Sequence, residues 1–168
     1  LEDGDVACWG LNVVSQLGFE NAEGQSFLTI HPPGIEPGWT EDRRIQGLGP
    51  MTELALGEAH TCARNEAGEV RCWGRNTHGT LGAVTTGENP HNLDMTPVPG
   101  LPAAQQIISG AHHNCARTAN GAVACWGAND RGQLGDGETS EEAGEQIRMV
   151  VELPPARQLA AGKHHSCA

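Results

Sequence analysis

The chain has 168 residues, enough for one ordinary domain with a real core. It carries 23 Gly, 10 Pro, two Phe, no Tyr and a formal net charge of −11, a field that repels phosphate backbones and argues against a nucleic-acid partner. No stretch approaches the roughly 18 apolar residues of a membrane helix, so no membrane span is expected, and Leu1 opens inside a repeat rather than on a signal peptide.

The glycines recur inside apolar, β-prone segments, which predicts a turn-dense all-β protein. In chain order, the first element is a half unit, Gly4-Asp-Val-Ala-Cys8-Trp9-Gly10-Leu-Asn12, with the tail Ser15-Gln-Leu-Gly18. Residues 19–42 follow, rich in Gly, Pro and Glu and holding His31 and Trp39. They stretch the step from Gly18 to Gly57 to 39 residues, against 28 from Gly82 to Gly110 and 27 from Gly135 to Gly162. This reads as an insertion loop on a rigid scaffold, a usual place for specificity, or as a tolerated insertion with no role. Leu48 and a Pro step lead into the apolar strand Glu53–Leu56. A hairpin then covers 57–76, Gly57-Glu-Ala-His60-Thr-Cys62 … Gly68-Glu-Val-Arg-Cys72-Trp73-Gly74-Arg-Asn76, with the tail Gly79-Thr-Leu-Gly82.

The pattern repeats. Leu101, the strand Gln106–Ser109, a hairpin over 110–129 with Cys115, Cys125 and Trp126, and the tail Gly132-Gln-Leu-Gly135 come next. The acidic run Glu138–Glu145 reads as a solvated loop, with a calcium or cationic partner as the alternative. Leu153, the strand Gln158–Ala161 and the front half Gly162-Lys-His-His165-Ser-Cys167-Ala168 close the chain. The steps Cys62 to Cys115 to Cys167 are 53 and 52 residues. That length is too long for leucine-rich or ankyrin units and suits a propeller blade of four short strands. The expected architecture is one β-propeller repeat region over 1–168, with three blade equivalents. Two hairpins are whole, and the third is split between 162–168 and 4–12. Gly68 and Gly121 sit where a tight hairpin needs positive φ.

These segments resemble the regulator of chromosome condensation repeat family, whose unit reads roughly Gly-x-x-His-[Thr/Ser]-x-Ala, then Gly-x-Val-x-x-Trp-Gly-x-Asn and Gly-Gln-Leu-Gly. The resemblance implies seven-bladed propellers in full-length members, so a chain of three repeats is a fragment or part of a larger ring or array. Cysteine after His-Thr and before Trp-Gly is similar to a secreted bacterial branch, which implies an extracellular or cell-surface location.

Cys62 and Cys72 have nine residues between them, as do Cys115 and Cys125. Folding each hairpin about its glycine places Cys62 opposite Cys72, Ala63 opposite Arg71 and Arg64 opposite Val70, within disulfide reach. Regular pairs favour an oxidising compartment. Free thiols, or zinc held with His60 or His113, are the alternatives, although structural zinc wants four ligands. Cys8 and Cys167 belong to the split hairpin, with eight residues between them when the end is written before the start. They are expected to pair within one ring, between neighbouring chains, or along a tandem array.

His60, His113 and His165 share one repeat position, so they lie around a ring and cannot form one site. Each is read as structural, bonded to neighbouring backbone. His112 and His164 are read as surface residues, and His31, His78 and His91 as loop residues. Trp9, Trp73 and Trp126 are read as packing between blades, with indole N–H groups that need partners. No nucleophile elbow, phosphate loop or dinucleotide fingerprint is present, and no cofactor or metal is expected. Function then divides between two main readings. One is a non-enzymatic extracellular scaffold binding a protein partner through loops. The other is a structural or surface-assembly subunit, a homo-oligomer or filament, whose split repeat a neighbouring chain completes.

Overall fold

The computed structural model describes residues 4–19, 29–30, 45–83 and 91–168. Their strands are β1 (Gly10–Leu11), β2 (Thr29–Ile30), β3 (Glu53–Leu56), β4 (His60–Arg64), β5 (Val70–Arg75), β6 (His91–Asn92), β7 (Ala104–Ser109), β8 (His113–Thr118), β9 (Val123–Asn129), β10 (Ser140–Met149), β11 (Ala160–Ala161) and β12 (Ser166–Cys167). Two antiparallel four-stranded sheets, β3-β4-β5-β6 and β7-β8-β9-β10, are flanked by the two-stranded sheets β1-β2 and β11-β12. Each larger sheet is a meander of four consecutive strands, the form of a propeller blade.

The central hairpins follow from their turns. Gly68 and Gly121 take φ of 85° and 83°, values that glycine adopts without a Cβ penalty. The amide of Gly68 donates to the carbonyl of Asn65 at 3.1 Å, and that of Gly121 to Thr118 at 3.0 Å. The register that results sets Cys62 opposite Cys72 and Ala63 opposite Arg71, with Cys115 opposite Cys125 in the next sheet.

The same turns start the next blade. The carbonyl of Gly4 accepts from the amide of Met51 (2.8 Å), that of Gly68 from Ala104 (2.9 Å) and that of Gly121 from Ala156 (2.8 Å). The core lies between sheets rather than within them. Trp73 packs with Val6, Ile45 and Leu48 of the preceding unit. Trp126 packs with Cys62, Val70, Cys72, Leu81 and Val98 of the sheet before it. Both indoles are fully buried, as their recurrence implied, whereas Trp9, read from the sequence in the same way, is 56% exposed.

The reading of the acidic run also needs correction. The acidic run Glu138–Glu145 is not simply a loop, since β10 begins at Ser140 and pairs with β9, Ser140 opposite Asn129 and Gly144 opposite Gly127. It is an outer strand with shifted register, which needs no strict apolar alternation, and acidic residues are suited to a sheet edge. The insertion at 19–42 lies outside the described residues apart from Phe19 and β2, as do His31 and Trp39. Part of it is the outer strand of the first unit, since Thr29–Ile30 pairs with Gly10–Leu11.

The buried indoles generate a stability prediction. Trp126→Ala is expected to cost about 3–5 kcal/mol in urea unfolding. Trp126→Phe should cost about 1–2 kcal/mol, the share of the lost indole hydrogen bond and of the smaller ring. No measurable loss for Trp126→Phe would show that the indole N–H contributes nothing.

Candidate interaction surface

One peptide group per unit holds successive sheets together. In the tail after each Trp-Gly-x-Asn, the Asn side chain accepts from the Leu amide: Asn12 from Leu17 at 3.0 Å, Asn76 from Leu81 at 2.8 Å and Asn129 from Leu134 at 3.1 Å. This turns the preceding carbonyl towards the following sheet. The carbonyl of Gln16 accepts from Thr61 Oγ1 at 2.9 Å and from the Trp73 indole at 3.1 Å. That of Thr80 accepts from Asn114 Nδ2 at 2.8 Å and from the Trp126 indole at 3.1 Å. That of Gln133 accepts from Ser166 Oγ at 3.0 Å. Such buried polar groups are costly unless fully paired, so the relay fixes how each sheet docks on the next.

The histidines extend the relay. His60 Nε2 lies 2.9 Å from Asn114 Oδ1, and His113 Nε2 lies 3.0 Å from Ser166 Oγ. Because Asn114 spends its amide N–H on Thr80, its Oδ1 is an acceptor and His60 donates. Ser166 likewise spends its hydroxyl proton on Gln133, so His113 donates from Nε2. These partners are the residue after the histidine in the next unit, not the neighbouring backbone the sequence suggested. The signal was available: Thr61, Asn114 and Ser166 all carry a hydroxyl or amide. Each imidazole folds back over the glycine three residues earlier, and a Cβ on Gly110 would lie 2.1 Å from His113 Cε1. Only glycine leaves room for the ring.

Both rings are held neutral. Burial pushes His60 down to about 4, a fall that the hydrogen bond to Asn114 opposes and His112 reinforces. Burial pushes His113 down to about 4 as well, helped by His60, His164, His165 and His112. His113 Nδ1 is buried without a hydrogen-bond partner among the described residues, so a second N–H there would have no acceptor.

The cysteines form a wall of the same interface. The sulfurs of Cys62 and Cys72 lie 2.11 Å apart and those of Cys115 and Cys125 2.07 Å apart, at disulfide distance. With both histidines engaged by Asn114 and Ser166, the zinc alternative loses its nitrogen ligand. Among the described residues no three His, Cys, Asp or Glu side chains are grouped so that they could hold a metal ion. Cys8 and Cys167 are free, Cys8 half-buried and Cys167 exposed. They lie in the first and last units, with two complete sheets between them. His112 is half-buried, 3.5 Å from the Glu58 carboxylate, and its ring centroid is 5.4 Å from that of His78. His164 is exposed, as a surface role requires.

The family described as regulator of chromosome condensation (RCC1) repeat matches residues 67–117 and 120–168, more than half of the chain. A second form of that repeat matches 52–80 and 105–133. The chain belongs to the regulator of chromosome condensation repeat family. Its sheets are blades of an RCC1-type β-propeller. The chain is 31% identical over 150 residues to Protein pim1 of Schizosaccharomyces pombe, covering 83% of this chain and 26% of that protein. It is 31% identical over 170 residues to the Ultraviolet-B receptor UVR8 of Arabidopsis thaliana, covering 100% of this chain and 36% of that protein. It therefore spans from about a quarter to about a third of these curated relatives. Among solved structures, yeast RCC1 (Prp20) bound to Kap60 superposes with a TM-score of 0.61 at 31% identity, over 70% of this chain and 27% of that one. Human WBSCR16 superposes with a TM-score of 0.66 at 20% identity, over 92% of this chain and 38% of that one, a likeness of fold. The RCC1 repeat as matched at 67–117 runs from one hairpin turn to the front strand of the next, offset from the sheets by half a blade.

The neutral histidines predict acid sensitivity. Unfolded, both titrate near 6.5; folded, near 4. The unfolded chain therefore binds more protons within this window, so stability is full above about pH 6.5 and falls as pH drops towards 4. Melting temperature measured from pH 7 to pH 4 should decline by several degrees. The double variant His60→Gln, His113→Gln should be less stable at pH 7 and show a flatter decline. An unchanged slope would remove these rings as its cause.

Proposed function

We propose that this RCC1-repeat chain is a non-enzymatic scaffold that binds a protein partner through the segments joining its blade strands, in an extracellular or cell-surface setting. The observation that carries the reading is where its buried polar groups go. His60, His113, Asn114 and both buried indoles are committed to blade-to-blade bonds. What remains for recognition is the connecting segments on a stiff support. Similar proteins are consistent with this: yeast RCC1 (Prp20) was solved bound to Kap60, and Prp20p of Saccharomyces cerevisiae is described with binding properties to Gsp1p and histones. The extracellular setting draws on the two cysteine pairs, which we take as disulfides, each expected to contribute on the order of 2–3 kcal/mol. The net charge of −11 favours protein over nucleic acid as the partner. No described helix is long and apolar enough to cross a membrane. A second reading, a subunit whose split repeat a neighbouring chain completes, is favoured by the free thiols of Cys8 and Cys167.

The scaffold reading predicts that proteins captured by the immobilised chain from the secreted fraction of its source cells depend on the connecting segments. Replacing 31–42, or separately 136–139, by Gly-Ser runs of equal length should abolish capture by at least one variant while the melting temperature shifts by less than about 2 °C. Capture unaffected by either replacement would count against recognition through these segments.

A further inference from the structure

The joint between the sheets β3-β4-β5-β6 and β7-β8-β9-β10 crowds several groups around one oxygen. Asn114 Oδ1 accepts from His60 Nε2 at 2.9 Å and from Ser109 Oγ at 2.6 Å. An amide oxygen has two lone pairs, so these donors fill it. The Cys62 sulfur lies 3.5 Å from the same oxygen. The contact recurs one unit on, where Cys115 Sγ lies 3.6 Å from the hydroxyl of Ser166, which holds the repeat position of Asn114. The cysteine pair of each complete hairpin therefore touches the side chain that docks the next sheet. As half of a disulfide, Cys62 brings no hydrogen to Asn114. As a thiol it carries one, beside an acceptor that is already filled.

The same pair supports the Trp126 ring. Cys62 is 1% exposed and Cys72 3%, and the indole packs on them in one cluster with Val70, Leu81 and Val98. The site has no slack: a Cβ on Gly82 would lie 3.2 Å from Trp126 Nε1. A bond holds two sulfurs about 2 Å apart, whereas two thiols move out to van der Waals contact. In a close-packed interior that displacement must be taken up by a neighbour. The neighbour here is the indole, whose N–H bond to the Thr80 carbonyl, at 3.1 Å, fixes how the second sheet sits on the first. Trp73 lies in a different joint. It packs with Val6, Ile45 and Leu48 and donates to the Gln16 carbonyl.

We propose that the Cys62–Cys72 pair is a redox-sensitive latch on this joint. As a disulfide it lets the second blade seat on the first; as two thiols it unseats it. The inference rests on the reading of the pair as a disulfide. The coupling is reciprocal, so the seated blade in turn stabilises the bond. It also covers the bond, because a reductant reaches the buried sulfurs only after Trp126 lifts. A small dithiol supplies the two electrons. One of its thiolates attacks a sulfur of the pair and forms a mixed disulfide, and the other cysteine leaves as a thiolate and takes up a proton. The second thiolate of the dithiol then closes on the first, and the remaining cysteine leaves and is protonated in turn. One protein disulfide becomes two thiols, one dithiol becomes a cyclic disulfide, and the two protons of the dithiol end on the cysteines. The continuous surface of the two blades thus persists in an oxidising setting and loosens in a reducing one.

The test uses the full chain, with exchange of each indole N–H into deuterated solvent followed by NMR before and after dithiothreitol. The Trp126 indole should exchange at least tenfold faster after reduction, and the Trp73 indole less than threefold faster. The variant Cys62→Ser, Cys72→Ser, with Cys115–Cys125 left oxidised, should show the same contrast, which assigns it to this pair. In the reverse direction, reduction of Cys62–Cys72 is timed by alkylation and mass spectrometry. Trp126→Ala should speed it at least tenfold and Trp126→Phe by a smaller factor. Trp73→Ala, which removes an equally buried indole from the other joint, should change it less than threefold. Equal acceleration by Trp73→Ala would mean that reduction follows unfolding of the whole chain and would overturn the latch. A disulfide that is present, with Trp126 exchange unmoved by reduction or a reduction rate unmoved by Trp126→Ala, would leave the disulfide reading standing and overturn the latch. Cys62 and Cys72 open to alkylation in the denatured chain without reductant would overturn both.

Discussion

A single peptide group in each repeat, the one before the Leu of the Gln/Thr-Leu-Gly tail, carries the architecture. Its N–H is taken by the Asn three residues after the Trp, and its C=O faces the next sheet. For Gln16 and Thr80 that carbonyl receives two donors, an indole and a side chain from the front strand. A carbonyl has two lone pairs, so this saturates it. Packing alone tolerates sliding between two apolar faces; a buried peptide gripped on both sides does not. The orientation of each blade on its neighbour is therefore a hydrogen-bonding constraint, filled in by hydrophobic burial.

The rest follows from that constraint. The indole must reach the carbonyl of the preceding unit, which places Trp73 and Trp126 between sheets and makes them the largest fully buried side chains of the core. The cysteine pair of the preceding hairpin forms the floor under the Trp126 ring, so the staple closes a hairpin and shapes the seat for its neighbour in the same step. The histidine donates to the residue that itself donates to the carbonyl, and it fits because the glycine beneath it has no Cβ. At His113 a charged imidazole would lack an acceptor for its second N–H, and burial disfavours the charge on both rings.

This economy bears on function. Among the described residues, His60, Asn114 and both buried indoles spend their polar groups on blade-to-blade bonds, and the matching residues at the two ends of the blade row do not. There the same residue types are present with half their partners: Trp9 without a carbonyl, Gln133 without an indole, Cys8 and Cys167 as thiols.

The repeat was legible in the residues because each blade must reproduce the same contacts, so Cys, Trp, Gly and Asn recur at fixed spacing. The hairpin register followed as well, since Gly68 and Gly121 fix the turn and the turn fixes which residues face each other across the strands. The outer strand β10 was not legible, because an edge strand with shifted register carries no alternating pattern. Nor was the destination of the histidines. By itself the sequence determined the blade, its turns and the register that sets Cys62 opposite Cys72 and Cys115 opposite Cys125, all contacts within a short loop of chain. Only the tertiary structure decided that His60 meets Asn114, that the carbonyls of Gln16 and Thr80 face Trp73 and Trp126, and that Trp9 is left exposed. Those depend on how one sheet stacks on the next across some fifty residues of chain, and no local spacing encodes that direction.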